Sequence, residues 1–186
     1  QDAHRAAPYP DVALRKERIN RLQAALKASR QQIEDAISAD FGNRSKNETL
    51  IFEMVSCIED IKHTLKHFPK WMKAEKRPVS LNSWPARAQI IKQPLGVIGI
   101  IVPWNYPLYL AVPPIVAALA AGNRAIVKMS EYTPRFSALF ADMIARTFSE
   151  DEVHVVNGGP ELAQAFSAMP FDHILFTGST SVGRHV

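Results

Sequence analysis

Four short segments of this 186-residue chain carry residue types able to bind a charged ligand or stabilise a transition state. They are Pro103-Trp104-Asn105-Tyr106-Pro107, Lys128-Met129-Ser130-Glu131, Asn157-Gly158-Gly159-Pro160 and Phe176-Thr177-Gly178-Ser179-Thr180-Ser181-Val182-Gly183. In the first, Asn105 is flanked by aromatic rings and then by prolines, which stiffen its backbone and fix the direction of its amide. A fixed neutral donor suits an oxyanion, where it is typically worth about 3 kcal/mol in the transition state; the plainer alternative is an Asn serving a tight turn.

In the second, Lys128 and Glu131 can hold the two hydroxyls of a ribose through one ammonium donor and one carboxylate acceptor. The plainer alternative is a surface ion pair. In the last, the chain turns through glycine and serine into a helix, which presents free N–H groups and a positive dipole end to a phosphate. Gly178 and Gly183 share the glycine frame of a P-loop, but Arg184-His185 stands where Lys and Ser or Thr would be needed, so an NTPase is disfavoured. The usual Gly-x-Gly-x-x-Gly dinucleotide fingerprint is absent.

Other reactive side chains read as structural. Cys57 lies on an apolar helical stripe with nothing nearby to lower its pKa, which predicts core packing. His63 and His67 have i, i+4 spacing, yet no acidic residue lies between them and lysines surround them, so a solvated helix face is expected and no metal.

The elements that position these segments follow from periodicity. Ile19, Leu22, Leu26, Ile33 and Ile37 predict one amphipathic helix from Asp11 to about Phe41, with Asp11 as N-cap and Gly42 as stop. Leu50, Met54, Cys57, Ile61, Leu65 and Phe68 predict a second from near Asn47 to the low seventies, bent or ended by Pro69. Alone, such a pair suggests a helical interaction module. Beyond Pro78 the pattern becomes short strands at Ala88–Lys92, Gly96–Val102, Ala125–Lys128, Val153–Val156 and His173–Thr177. Helices alternate with them at Ala111–Ala121, Pro134–Phe148 and Pro160–Ala168. The second strand is a continuous apolar run of the kind buried on both faces. Alternation of this sort predicts an α/β fold with a doubly wound parallel sheet, preceded by the two long amphipathic helices. Ligands of such sheets bind beyond the carboxyl ends of the strands, where all four segments fall. The divisions are 1–76, helical; 77–94, linker and arm, with Arg77 to Pro85 the clearest linker; and 95–186, the α/β region.

Composition narrows the classes. With 47% hydrophobic and 22% charged residues the chain can bury a core, which sets disorder aside. A net charge of +4, spread without a basic block, predicts no nucleic-acid partner. Gln1–Pro10 lacks the apolar core of a secretory signal, and the apolar stretches are too interrupted to span a bilayer. A single cysteine fits a reducing compartment, so a cytoplasmic location is expected.

Taken in order, these segments resemble the aldehyde dehydrogenase superfamily from about Asp11 to Val186. Pro103 to Pro107, the run Ala118 to Asn123 and Phe176 to Gly183 carry the likeness. The N-terminal helices and Val156-Asn157-Gly158-Gly159 look most like the class 3 branch, which handles fatty and aromatic aldehydes. Gly122-Asn123-Arg124 through Lys128-Met129-Ser130-Glu131 is similar to bacterial coniferyl aldehyde dehydrogenases. The resemblance implies a Rossmann-like cofactor-binding domain and oxidation of a small-molecule aldehyde to its carboxylic acid. A thiolate attacks, a hydride passes to NAD or NADP, and water activated by a glutamate hydrolyses the thioester. It implies that Asn105 is the oxyanion donor, that Ile101, Val102, Pro103 and Trp104 line the cofactor site, and that Lys128 and Glu131 bind the adenine ribose. Ser130 and Gly158 also join the cofactor site, and Gly178, Ser179, Thr180, Ser181, Val182 and Gly183 face the pyrophosphate. Glu131 favours NAD over NADP, because a carboxylate repels a 2′-phosphate. A homodimer is implied for the full-length enzyme.

Two departures qualify the resemblance. Met129 replaces a common family proline, with a looser or reshaped lysine loop expected. The family's cysteine nucleophile and general-base glutamate are expected downstream of Val186, so this segment alone is expected to be inactive. The alternatives are a dinucleotide-binding pseudoenzyme and the helical module.

Overall fold

The computed structural model of the protein describes residues 1–186. After a short helix α1 (Asp2–Ala6), Asp11 caps α2 (Val12–Ala28), its carboxylate accepting the Leu14 N–H at 2.8 Å. The single helix expected as far as Phe41 is interrupted at Ser29 (φ −96°, ψ 6°), where α3 (Arg30–Asp40) begins. The apolar stripe survives the break, since Ile19, Leu22, Leu26, Ile33 and Ile37 are each at most 1% exposed. The second long helix comprises α4 (Lys46–Glu48), a π-helical segment Thr49–Val55, and α5 (Ser56–Trp71). Its periodicity did not predict the π segment, and Pro69 falls inside its last turn without ending it.

The arm is more ordered than a linker. β1 (Glu75–Arg77) and β2 (Ala88–Ile90) pair antiparallel, so Arg77 ends a strand opposite Ala88. The α/β part runs β3 (Val97–Ile101), α6 (Val112–Ala121), β4 (Arg124–Lys128), α7 (Pro134–Thr147), β5 (Val153–Val156), α8 (Pro160–Ser167), β6 (His173–Phe176) and α9 (Thr180–Gly183). These four strands form one parallel sheet in the order β5-β4-β3-β6. From β3 the chain moves outward to β5, then returns through α8 to the other side of β3.

Ile98, Ile100, Ala125, Val127, Val153 and Val155 bury one sheet face, with α6 and α7 packed over it. Helices α2, α3 and α5 form a further layer on α6 and α7. A single hydrophobic cluster therefore extends from Ile19 to Val155, which overturns the separate helical module: those helices have no core of their own. Asp40, at the end of α3, accepts N–H bonds from Arg135 and Phe136 and so caps the first turn of α7.

Reversal of direction after β5 requires a right-handed connection on the opposite face. There Phe171 lies so close to Gly99 that a Cβ on the glycine would come within 2.7 Å of its ring. Burial on both faces holds for β3, whereas Ile126 of β4 and His154 and Val156 of the edge strand β5 stay half-buried. Gly122 ends α6 with φ 86°, and Asn123 Oδ1 accepts the N–H groups of Leu95 and Gly96. The Ala118–Asn123 run is thus a joint that sets the start of β3.

Candidate functional site

Strand order reverses at β3, and a cavity of about 550 Å³ opens beyond the carboxyl ends of β3, β4 and β6. This is the topological switch point at which open α/β sheets bind ligands. The ladder continues past the strand ends: Val102 N–H donates to Lys128 O at 3.0 Å, and Thr177 N–H donates to Ile101 O at 3.2 Å. These bonds hold the β3, β4 and β6 extensions side by side.

Ile101, Val102, Pro103 and Trp104 form one apolar side of the cavity. Lys128, Ser130 and Glu131 form a polar side. The Lys128 side chain is 4% exposed, and its Nζ stands 2.9 Å from Glu131 Oε2. The ion pair weighed against ribose binding therefore exists, yet its cation is buried at the cavity wall and not on a solvated surface. Burial pushes the Glu131 carboxyl up, but the hydrogen bond and charge of Lys128 outweigh it and hold the group below the ordinary glutamate range.

Met129 is fully buried, and its N–H donates to Val156 O at 3.2 Å. Proline has no N–H to make that bond. The N–H at this position ties the lysine loop to β5.

Gly178, Ser179 and Val182 also line the cavity, and the Ser179 hydroxyl caps α9 by accepting the Val182 N–H. A Cβ on Gly178 would lie 2.4 Å from the Phe176 ring, and one on Gly183 3.1 Å from it. These glycines therefore make room for an aromatic side chain of the protein itself as well as for any ligand. Thr180, Ser181 and Gly183 do not line the cavity, and neither does Gly158, which instead lies where a Cβ would meet Leu162 of α8 at 2.5 Å.

Asn105 stands outside the cavity too, next to Trp104 at its rim. Its side chain is exposed, while its carbonyl accepts from Arg44 Nη1 at 2.9 Å. The loop beyond it is anchored where Glu53 Oε2 accepts the N–H groups of Leu108 at 2.8 Å and Tyr109 at 3.1 Å. Burial pushes the Glu53 carboxyl up, and those N–H groups with the Arg44 guanidinium offset this only in part.

Inspection of strand ends missed Tyr132 and the α8 residues Ala163, Gln164 and Ser167. Tyr132 directly follows the Lys128–Glu131 motif. The α8 face carried a usable signal, because a helix returning across the opposite face must pass the switch point. Cys57 is buried with its thiol against the Leu108 carbonyl, and burial pushes its pKa up, as befits a core residue. The His63 and His67 rings lie 4.4 Å apart, tilted by 37°, and no group of three or more His, Cys, Asp or Glu side chains is arranged to hold a metal ion. No helix is long and apolar enough to cross a membrane.

Comparison with known proteins agrees with this geometry. The aldehyde dehydrogenase family model matches residues 1–186. A probable coniferyl aldehyde dehydrogenase of Pseudomonas aeruginosa is 48% identical over 184 residues, which are 99% of this chain and 39% of that protein. The coniferyl aldehyde dehydrogenase of a Pseudomonas species is 45% identical over 184 residues, again 99% of this chain and 38% of the relative. Among solved structures, the substrate-bound state of Staphylococcus aureus AldH superposes with a TM-score of 0.90 at 35% identity, covering 94% of this chain and 38% of that one. The chain thus spans under two-fifths of the length of these relatives, 39% in the first case. With its full length matched by the family model and its switch-point cavity formed by the family-like segments, the chain belongs to the aldehyde dehydrogenase family.

Proposed function

We propose that this chain is the dinucleotide-binding part of an NAD(P)-dependent aldehyde dehydrogenase that oxidises an aromatic aldehyde of the coniferyl type. The observation that carries the reading is the buried Lys128 ammonium, paired with Glu131 at the wall of the switch-point cavity. With one donor used on Glu131, the ammonium keeps two for a ribose hydroxyl, and Glu131 Oε1 remains as acceptor. A volume of about 550 Å³ falls in the range of small-molecule and cofactor sites. The residues therefore fit the adenosine end of a nicotinamide dinucleotide, with Gly178, Ser179 and Val182 beside its pyrophosphate. Glu131 favours NAD, since a 2′-phosphate would meet its carboxylate.

The overall reaction is aldehyde plus NAD⁺ plus water giving carboxylate, NADH and two protons. Bound in the cavity, the dinucleotide supplies the hydride acceptor. Asn105 donates its amide N–H to the oxygen of the attacked carbonyl as negative charge develops there. The thiolate and general base belong to the remainder of the full-length protein, a reading supported by the 39% coverage of the relative and by the burial of Cys57. Exposed Leu81, Trp84, Ile90 and Ile91 on the β1–β2 arm support a homodimer, and the single buried thiol supports a cytoplasmic location.

Full-length protein supplied with an aromatic aldehyde and NAD⁺ should form NADH and carboxylic acid in equal amounts. Dinucleotide binding without NADH formation across aromatic and aliphatic aldehydes would establish a pseudoenzyme instead.

A further inference from the structure

Two charged side chains are buried together outside the cavity, and both hold the segment that carries Asn105. Arg44 follows a turn in which Gly42 and Asn43 take left-handed backbone angles, φ 62° and 81°. Glycine adopts that region freely and Asn tolerates it, so the chain reverses sharply between α3 and α4 and sends Arg44 inward. Its side chain is 7% exposed. The guanidinium lies 4.6 Å from the centre of the Tyr106 ring and 5.1 Å from that of Phe41, with Nη1 donating to the Asn105 carbonyl at 2.9 Å. Nη1 is also 3.3 Å from Glu53 Oε1, and Nη2 is 3.2 Å from Glu48 Oε1.

Glu53 is fully buried in the π-helical segment. One oxygen anchors the Leu108 and Tyr109 N–H groups; the other faces Arg44 without a hydrogen bond. Well-packed apolar residues often replace such a buried pair with no loss of stability, so stability alone does not account for it. A segment with π-helical hydrogen bonding places one more residue in the turn and is frequently found at functional sites. The pair grips the loop from Asn105 to Tyr109 at both ends, with the Tyr106 ring on the guanidinium between them.

We infer that Arg44 and Glu53 are positioning residues that fix the Asn105 amide through its own backbone. This rests on the proposed oxyanion role of Asn105. Neither side chain lines the cavity, so their effect on the reaction passes through the loop.

The test is a double-mutant cycle in the full-length enzyme with NAD⁺ and an aromatic aldehyde. Asn105→Ala should lower kcat about a hundredfold or more, as for loss of an oxyanion donor. Arg44→Met should lower kcat about tenfold while leaving the NAD⁺ dissociation constant within about twofold, and should cause no further loss when added to Asn105→Ala. Should Arg44→Met not fold, Glu53→Gln serves instead, because it keeps an acceptor for Leu108 and Tyr109 while removing the charge opposite Arg44. Losses that multiply in the double variant, or full activity in the single positioning variants, overturn the inference and leave the Asn105 reading standing. Full activity in Asn105→Ala overturns both.

Discussion

The Lys128 ammonium reaches Glu131 across 2.9 Å although the two residues enter that contact from opposite situations, the lysine side chain 4% exposed and the glutamate 33%. The lysine is thus a buried cation with its partner at the cavity edge. In the proposed cofactor site, the carboxylate beside it would discriminate between NAD and NADP.

Glu131→Gln should therefore weaken NAD⁺ binding by about tenfold, the value of one charge-assisted hydrogen bond, and shift the ratio of NAD⁺ to NADP⁺ dissociation constants toward NADP⁺. Calorimetric titration of both dinucleotides into the full-length protein reads this directly. An unchanged ratio would remove the ribose assignment.

Met129 places a fully buried side chain in the core and adds a backbone bond to Val156. Met129→Leu keeps both and should cost about 1 kcal/mol or less, whereas Met129→Pro loses the N–H and most of the packing and should cost about 2–4 kcal/mol. Chemical unfolding of the two variants separates the effects. Equal stability would mean that the loop does not depend on the bond to β5.

Glu152 is shared by Arg18 and Arg21, at 2.8 and 2.9 Å. Burial pushes its carboxyl up, but the hydrogen bonds and charges of Arg21 and Arg18 prevail and leave it below the ordinary glutamate range. The unfolded chain then takes up this proton at higher pH than the folded one. Its contribution is present above the unfolded value, about 4.3, and is lost as pH falls through the lower folded value. Glu152→Gln should lower stability at pH 7 by about 2 kcal/mol, between the limits for exposed and buried pairs, and flatten the loss of stability below about pH 4.3. Urea midpoints from pH 3 to 7 check both, and parallel curves for the variant and the parent would contradict the assignment.

Much of the α/β part was legible because its signals are local. Apolar spacing reports which face of an element leaves water, and Gly122, Pro134 and Pro160 mark helix ends by backbone constraints that need no distant partner. The break at Ser29 was not legible, since the stripe of Ile and Leu crosses it without a change of period. The π segment was hidden for the same reason. Lys128 and Glu131 were found by type and position, but nothing in their spacing distinguished a solvated pair from one at a cavity wall.

Sequence alone determined the residue types at the strand ends, the order of strands and helices, and hence the class of ligand site. Only tertiary structure decided that α8 completes the cavity, that Gly158 serves Leu162, and that Arg44 and Glu53 grip the Asn105 loop from 61 and 55 residues away. Periodicity and turn chemistry act over a few residues, whereas burial of a charge depends on every element that surrounds it, and those elements meet only when the chain has folded.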